Sequence, residues 1–176
     1  MVAVRADPID ELLRRARQGE AAAFTRIVET HHAELLRVAY VVCGDGELAR
    51  DAAQTAWIKA WQRLHSLHDP AKLRPWLLAI AANEARQAVR SRGRRPVVAI
   101  DAIAIEPSAA GPSPERIDLM AALSTLSPDD RALLALRYFA GVETEAIARA
   151  TGRTASGTRT RLSRLLTRLR EEVRDA

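Results

Sequence analysis

Residues 143–170 read ETEAIARATGRTASGTRTRLSRLLTRLR: a short helical run to Ala150, a stop at Gly152, then 18 residues with six arginines and no acid. Glycine just past a helical run is a common helix stop, so the stretch reads as two helices joined by a tight turn. Leu162, Leu165, Leu166, Leu169 and Val173 recur at helical period and form one apolar stripe. Thr160, Ser163, Arg164, Thr167 and Arg168 lie opposite. Such a helix buries one side against its own domain and offers hydroxyls and guanidinium groups, which suit base edges and phosphates, on the other. The expectation is a helix-turn-helix whose second helix meets DNA. The alternative is a surface helix with a solvated basic face.

Working outward, 176 residues that are 48% apolar suffice for one large or two small packed domains. The net charge of +5 is unevenly placed. Residues 1–84 balance eleven acids against eleven bases, whereas residues 85–100 hold five arginines and no acid. Two basic patches on a nearly neutral body favour an extended polyanion as partner. Cys43 is the single cysteine, which excludes an intramolecular disulfide and a cysteine-based zinc site. It reads as a small buried residue in a reducing compartment. The four histidines show no ligand spacing with acids, so neither metal nor cofactor is expected. The N-terminus lacks an apolar core of signal-peptide length, and no run approaches the ~20 apolar residues that span a bilayer. A cytoplasmic protein is expected, with no membrane insertion and no regulatory domain beyond the recognition helix.

Apolar residues recur at helical period almost everywhere, which predicts an all-α protein. Helices are expected over residues 10–18, 20–43, 47–64 and 73–92, with Gly44, Asp45 and Gly46 breaking the chain and a polar stretch at 65–72. Gly93, Pro96, Pro107, Gly111 and Pro112 mark a flexible linker over 93–113, although Val97, Val98, Ile100, Ile103 and Ile105 are apolar enough to lie along another surface. Ser113 with Pro114 and Ser127 with Pro128 each place an N-cap before a first-turn proline. They open helices to about Leu126 and Ala140, ahead of the helix-turn-helix. Two helical domains result, 8–92 and 114–174.

Three segments carry a family resemblance. Residues 49–57, ARDAAQTAW, resemble the A-E-D-l-v-Q-e-t-F signature of sigma region two in the extracytoplasmic-function sigma factors, the smallest members of the sigma-70 family of bacterial transcription initiation factors. Residues 74–83, RPWLLAIAAN, resemble the W-L-x-x-I-A-x-N segment of that region, and residues 150–170 align without a gap to the region-four pattern A-x-G-x-s-x-G-T-V-K-S-R-L-x-R-A. Departures are Arg50 in place of an acid, Ser156 and Gly157 where Gly and Thr are common, and Thr158 in place of an apolar residue. Gly157 weakens the first turn of the recognition helix.

The resemblance implies that domain 8–92 binds core RNA polymerase and melts the minus-10 promoter element, while domain 114–174 reads the minus-35 element. Asp51, Gln54, Thr55 and Ile58 share a face flanked by Trp61, and the resemblance implies docking of that face on the beta-prime clamp helices; region four implies the beta flap. The alternative makes Trp57 and Trp61 core residues. Asn83, Arg86, Gln87 and Arg90 share a face with Trp76 near its start, and stacking, amide hydrogen bonding and phosphate contacts are the chemistry of single-strand capture. The competing reading buries Trp76 and leaves Asn83 as a cap. The family's minus-35 positions map to Arg137, Arg159, Thr160, Ser163 and Arg164. Of these, Arg164 and Thr160 point directly away from the apolar stripe, as base readers should, and Arg159 and Arg137 suit phosphate. Arg161 and Arg168 sit at the stripe's edge, where solvation alone would account for them. No nucleophile with a base, metal cluster or phosphate loop is present, so an enzyme is not expected. Promoter DNA and core polymerase are the expected partners, with an anti-sigma factor an open third. A polymerase-independent regulator and a helical adaptor or decoy are the rival readings.

Overall fold

The computed structural model describes residues 8–92 and 114–174, and every regular element among them is helical. The first unit comprises α1 (Ile9–Arg17), α2 (Ala21–Cys43), α3 (Gly46–Arg63) and α4 (Leu73–Ser91). The second comprises α5 (Pro114–Ser124), α6 (Pro128–Leu134), α7 (Thr144–Thr151) and α8 (Ala155–Arg174). The expected linker at 93–113 lies outside the described residues.

Local chemistry places the breaks. Gly44 ends α2 in the left-handed region at φ 68°, its N–H bonding to the Tyr40 carbonyl, and Asp45 caps α3 by accepting from the Leu48 N–H at 2.9 Å. Two residues thereby stop one helix and start the next. The polar stretch after α3 is two short 3-10 turns, Leu64–Ser66 and Pro70–Lys72, pinned by the buried Leu64 and Leu67. Ser127 caps α6, accepting from the Asp130 N–H.

The helix after Ser127 departs from expectation. It is α-helical only to Leu134 and then widens into a π turn, Ala135–Phe139, closed by Ala140 N–H to Ala135 carbonyl and Val142 N–H to Leu136 carbonyl bonds at 3.0 and 2.8 Å. The widening keeps Leu136 and Ala140 buried, so the apolar spacing does not reveal it. The α8 stripe also stops short: Leu162 and Leu165 are buried, Leu166 and Leu169 half-buried, and Val173 is 40% exposed.

Small side chains let the first unit pack closely. Ala49, Ala52, Ala53, Ala56 and Ala60 of α3, and Ala81, Ala82 and Ala85 of α4, are buried, and both helices lie against α2. Residues 38–43 of α2 are buried in succession, on every side of the helix. Besides α3 and α4, α6 and the π turn pack on α2, so the two units share one apolar core. Ala53→Leu, forcing three extra carbons into that packing, is expected to cost about 1 to 3 kcal/mol in urea unfolding. An unchanged midpoint would contradict the close helix approach.

Candidate nucleic-acid interface

In the second unit, α7 docks through Thr144, Ile147 and Ala148, and α8 through Thr158, Leu162 and Leu165. Gly152, at φ 66°, turns the chain between them, and the Thr154 hydroxyl caps α8 by accepting the Gly157 N–H at 3.1 Å. Thr158 is fully buried, but its hydroxyl donates to the Thr154 carbonyl at 2.9 Å, so a polar group at an apolar position is satisfied. A Cβ at Gly157 would lie 3.0 Å from the Thr154 hydroxyl, so the glycine that lowers helix propensity also leaves room for the cap.

The opposite side of α8 is open. Arg153, Thr154, Gly157, Thr160, Arg161 and Arg164 line a groove at its N-terminal end. The positive end of the helix dipole reinforces the guanidinium groups there, a combination that favours anions. Thr160, Ser163 and Arg164 are exposed, and among the described residues Arg164 has no hydrogen-bond or ion-pair partner. Arg159 is also exposed but pairs with Glu145 of α7 at 3.0 Å. Arg137, in the π turn, donates to the Val142 carbonyl at 3.3 Å and faces Glu143 at 3.5 Å. Arg161 is more than a solvated edge residue: its Nε donates to Asp130 of α6 at 2.6 Å, tying α8 to α6. Arg168 faces Glu172 at 3.7 Å.

In the first unit, Trp76, Asn83, Gln87 and Arg90 follow one face of α4, with Arg86 beside them. Trp76 is half-buried against the core and Gln87 is exposed. Asn83 is held on both sides, donating to Glu84 and accepting from Arg86. Arg86 and Arg90 are not free, because both face Asp129 of α6. The Arg90 bond is 2.6 Å, whereas Arg86 Nε lies 3.2 Å from Asp129 Oδ1 without hydrogen-bond alignment, a charge contact only. Arg74 pairs with Glu34 and donates to the Ala140 carbonyl at 2.6 Å. The second unit thus covers part of the basic face of α4. Glu84, Asp129 and Arg74 escape the sequence reading. An acid at the helical spacing of Leu77, Ala81 and Ala85 is the one available signal, and it points to Glu84.

On α3, Asp51, Gln54, Thr55, Ile58 and Trp61 are all exposed, Ile58 at 53% and Trp61 at 39%. Arg50 is exposed beside them. The Trp61 ring rests on Phe24 with centroids 4.8 Å apart, which fixes it without hiding it. Trp57 belongs to the core, its indole N–H donating to His32 at 3.1 Å. A rigid exposed aromatic beside an exposed isoleucine has the character of a protein-docking surface. No described helix is long and apolar enough to cross a membrane.

Comparison with known proteins bears on these surfaces together. Residues 27–95 match sigma-70 region 2, and residues 116–169 match sigma-70 region 4. The chain is 33% identical over 184 residues to a probable RNA polymerase sigma factor, RfaY, of Xanthomonas campestris, an alignment covering 97% of this chain and 46% of the relative. It therefore spans about half the length of that protein. It is 33% identical to the RNA polymerase sigma-H factor of Pseudomonas aeruginosa, covering 78% of this chain and 79% of the relative. Among solved structures, the sigma factor RpoE of Bartonella quintana, in complex with the anti-sigma factor NepR, shares 28% identity at a TM-score of 0.69, over 86% of this chain and 96% of that one. CnrH, in complex with the cytosolic domain of CnrY, matches in fold, with a TM-score of 0.66 at 22% identity over 92% and 94% of the two chains.

The Arg161–Asp130 pair makes a pH prediction. Burial acts to raise the Asp130 carboxyl, but bonds from Arg161 and Ser127 outweigh it and hold the group below its ordinary value. A depressed pKa stabilises the fold above the unfolded carboxylate value and loses that contribution as pH falls through the folded one. Below about pH 4, the thermal midpoint should therefore fall faster in the wild type than in Asp130→Asn. Parallel acid sensitivity would show that the pair does not hold α8.

Proposed function

This chain belongs to the sigma-70 family of RNA polymerase sigma factors, within its extracytoplasmic-function group, and from that premise we propose that it directs core RNA polymerase to a two-part promoter and helps to open it. The face of α3 formed by Asp51, Gln54, Thr55, Ile58 and Trp61 docks on the beta-prime clamp helices, and the second unit engages the beta flap. Trp76, Asn83, Arg86, Gln87 and Arg90 of α4 capture the unpaired minus-10 strand. Arg164, with Thr160 and Ser163, reads the minus-35 element in the major groove, while Arg159 and Arg137 grip phosphate. The domain boundaries in this reading are 8–92 and 114–174. The phosphodiester chemistry is the polymerase's, and the site of action is the cytoplasm. An anti-sigma factor is a further partner of this class, as for the RpoE relative.

What supports the reading most is that three surfaces of different chemistry occur on one chain, an exposed one on α3 suited to protein, and two suited to nucleic acid, of which that on α8 is open and that on α4 is partly covered by the second unit. A regulator acting without polymerase needs only the α8 groove. The packed arrangement is the form of the free chain, so Asp129 must leave Arg86 and Arg90 before the minus-10 strand can take its place.

In vitro transcription tests the proposal: the purified chain is added to sigma-free core polymerase and fragmented genomic DNA, and RNA 5′ ends are mapped. The expected result is defined start sites that require the chain and share two upstream motifs. Tight, sequence-specific duplex binding without any chain-dependent transcript would favour a polymerase-independent regulator instead.

Two further outcomes are expected. Arg164→Ala should lose about 1 to 3 kcal/mol of minus-35 discrimination, whereas Arg159→Ala weakens binding evenly across sequences and lowers the salt slope by about one. Sequence-blind losses in both would remove Arg164 as a reader. Asp129→Asn should tighten binding of the isolated chain to a minus-10 single strand by about two- to fivefold, the scale of a partly exposed ion pair. Unchanged affinity, measured by fluorescence anisotropy, would show that Asp129 does not compete with DNA.

A further inference from the structure

Glu84 lies in α4 on the side shared by Leu77, Ala81 and Ala85, and is only 6% exposed. A carboxylate so placed loses its hydration and needs partners for both oxygens. Lys59 of α3 supplies one, its Nζ lying 2.7 Å from Oε2. The other oxygen is used differently, for Oε1 accepts from Nδ2 of Asn83 at 3.2 Å. On its far side, Oδ1 of Asn83 accepts from Arg86 at 3.0 Å.

We propose that Glu84 is a positioning residue for base reading, which fixes the amide of Asn83 in one of its two orientations before DNA arrives. The assignment rests on the reading of α4 as the minus-10 surface. A carboxylate only accepts and a guanidinium only donates, so an amide between them is satisfied one way round. Turned over, its oxygen would face the carboxylate and its NH2 the guanidinium, two repulsive contacts in place of two bonds. The oriented amide keeps one N–H and one oxygen lone pair unused, in fixed order, as a donor–acceptor pair for a base edge. An unclamped amide would offer both orders and discriminate less between bases; the clamp also removes the ordering cost from the binding step.

A plain structural ion pair would need only Lys59 and Glu84, and apolar residues of similar volume would often serve stability equally well. The bond to Asn83 is what that view leaves unexplained. Lys59 stands next to Ile58, so the same carboxylate ties the base-reading helix to the helix that docks on polymerase.

The test uses the full chain with core polymerase on a promoter library carrying all four bases at each minus-10 position. Asn83→Ala should abolish the base preference at one position, which identifies the base it reads. Glu84→Gln keeps the shape but replaces one acceptor oxygen with a donor. It should lower the preference at that same position by about tenfold, the discrimination of one good amide contact. In the Asn83→Ala background it should add nothing. Even loss at all positions, or additive loss in the double variant, would overturn the assignment and leave Glu84 structural. So would an Asn83→Ala profile with no preference lost.

Absence of transcription by the wild type would instead overturn the reading of α4 on which the assignment stands. A second measurement does not depend on how the variant folds. Asn83 is the single asparagine of the chain, so selective 15N-asparagine labelling gives one side-chain NH2 pair. The two protons of any primary amide give separate signals; in the wild type the one donated to Glu84 should exchange with solvent more slowly than the other, and two protons exchanging as in a free amide would overturn the clamp.

Discussion

Residues 38–43, buried on every side of α2, impose the constraint on which the arrangement of the molecule depends. A helix that is apolar all round must be covered all round. Within the first unit α3 and α4 cover part of it, and α6 with the π turn covers more. The second unit is therefore held where its acid at 129 meets the basic face of α4 and its carbonyl at 140 meets Arg74. This contact is favourable in its apolar part and mixed in its polar part, where satisfied bonds stand beside unsatisfied ones. Arg131 is buried, its Nε has no hydrogen-bond partner among the described residues, and burial lowers its pKa. Such mixed boundaries between domains separate when a partner offers more.

The same electrostatic logic runs through both proposed nucleic-acid surfaces. Arg86, Arg90 and Arg159 meet carboxylates in the closed chain, whereas Arg164 is left without one among the described residues. Acids facing phosphate-binding arginines lower the affinity of the free chain for any polyanion, because DNA must displace them. Arg164 faces no such competition among the described residues, which fits its proposed role of telling bases apart rather than adding affinity.

Much of this was legible in the chain. Gly44 with Asp45, Ser127 with Pro128, and Gly152 have local effects on the backbone, and each stands where a helix stops or starts. Periodicity put Ile58 on one face with Asp51, Gln54 and Thr55, but it left Trp61 open between that face and the core; the structure exposes both. The π turn was not legible because one wider turn preserves the apolar spacing. Nor were the contacts of Asp129 and Glu84, since an acid's partner 25 to 40 residues away leaves no periodic trace. Residues such as Tyr40 and Val41 signal that α2 needs cover on a further side, but pattern alone does not name what covers it.

The most direct test of this account is the distance between the two units, read by single-molecule energy transfer between dyes on Gln18→Cys and Glu171→Cys, both exposed positions, while Cys43 is buried and its thiol pushed up to about 12. The account predicts one population for the free chain, at the distance of the packed arrangement, and a change of that distance on adding core polymerase. A distance that core polymerase leaves unchanged, or a free chain spread over many distances, would contradict it.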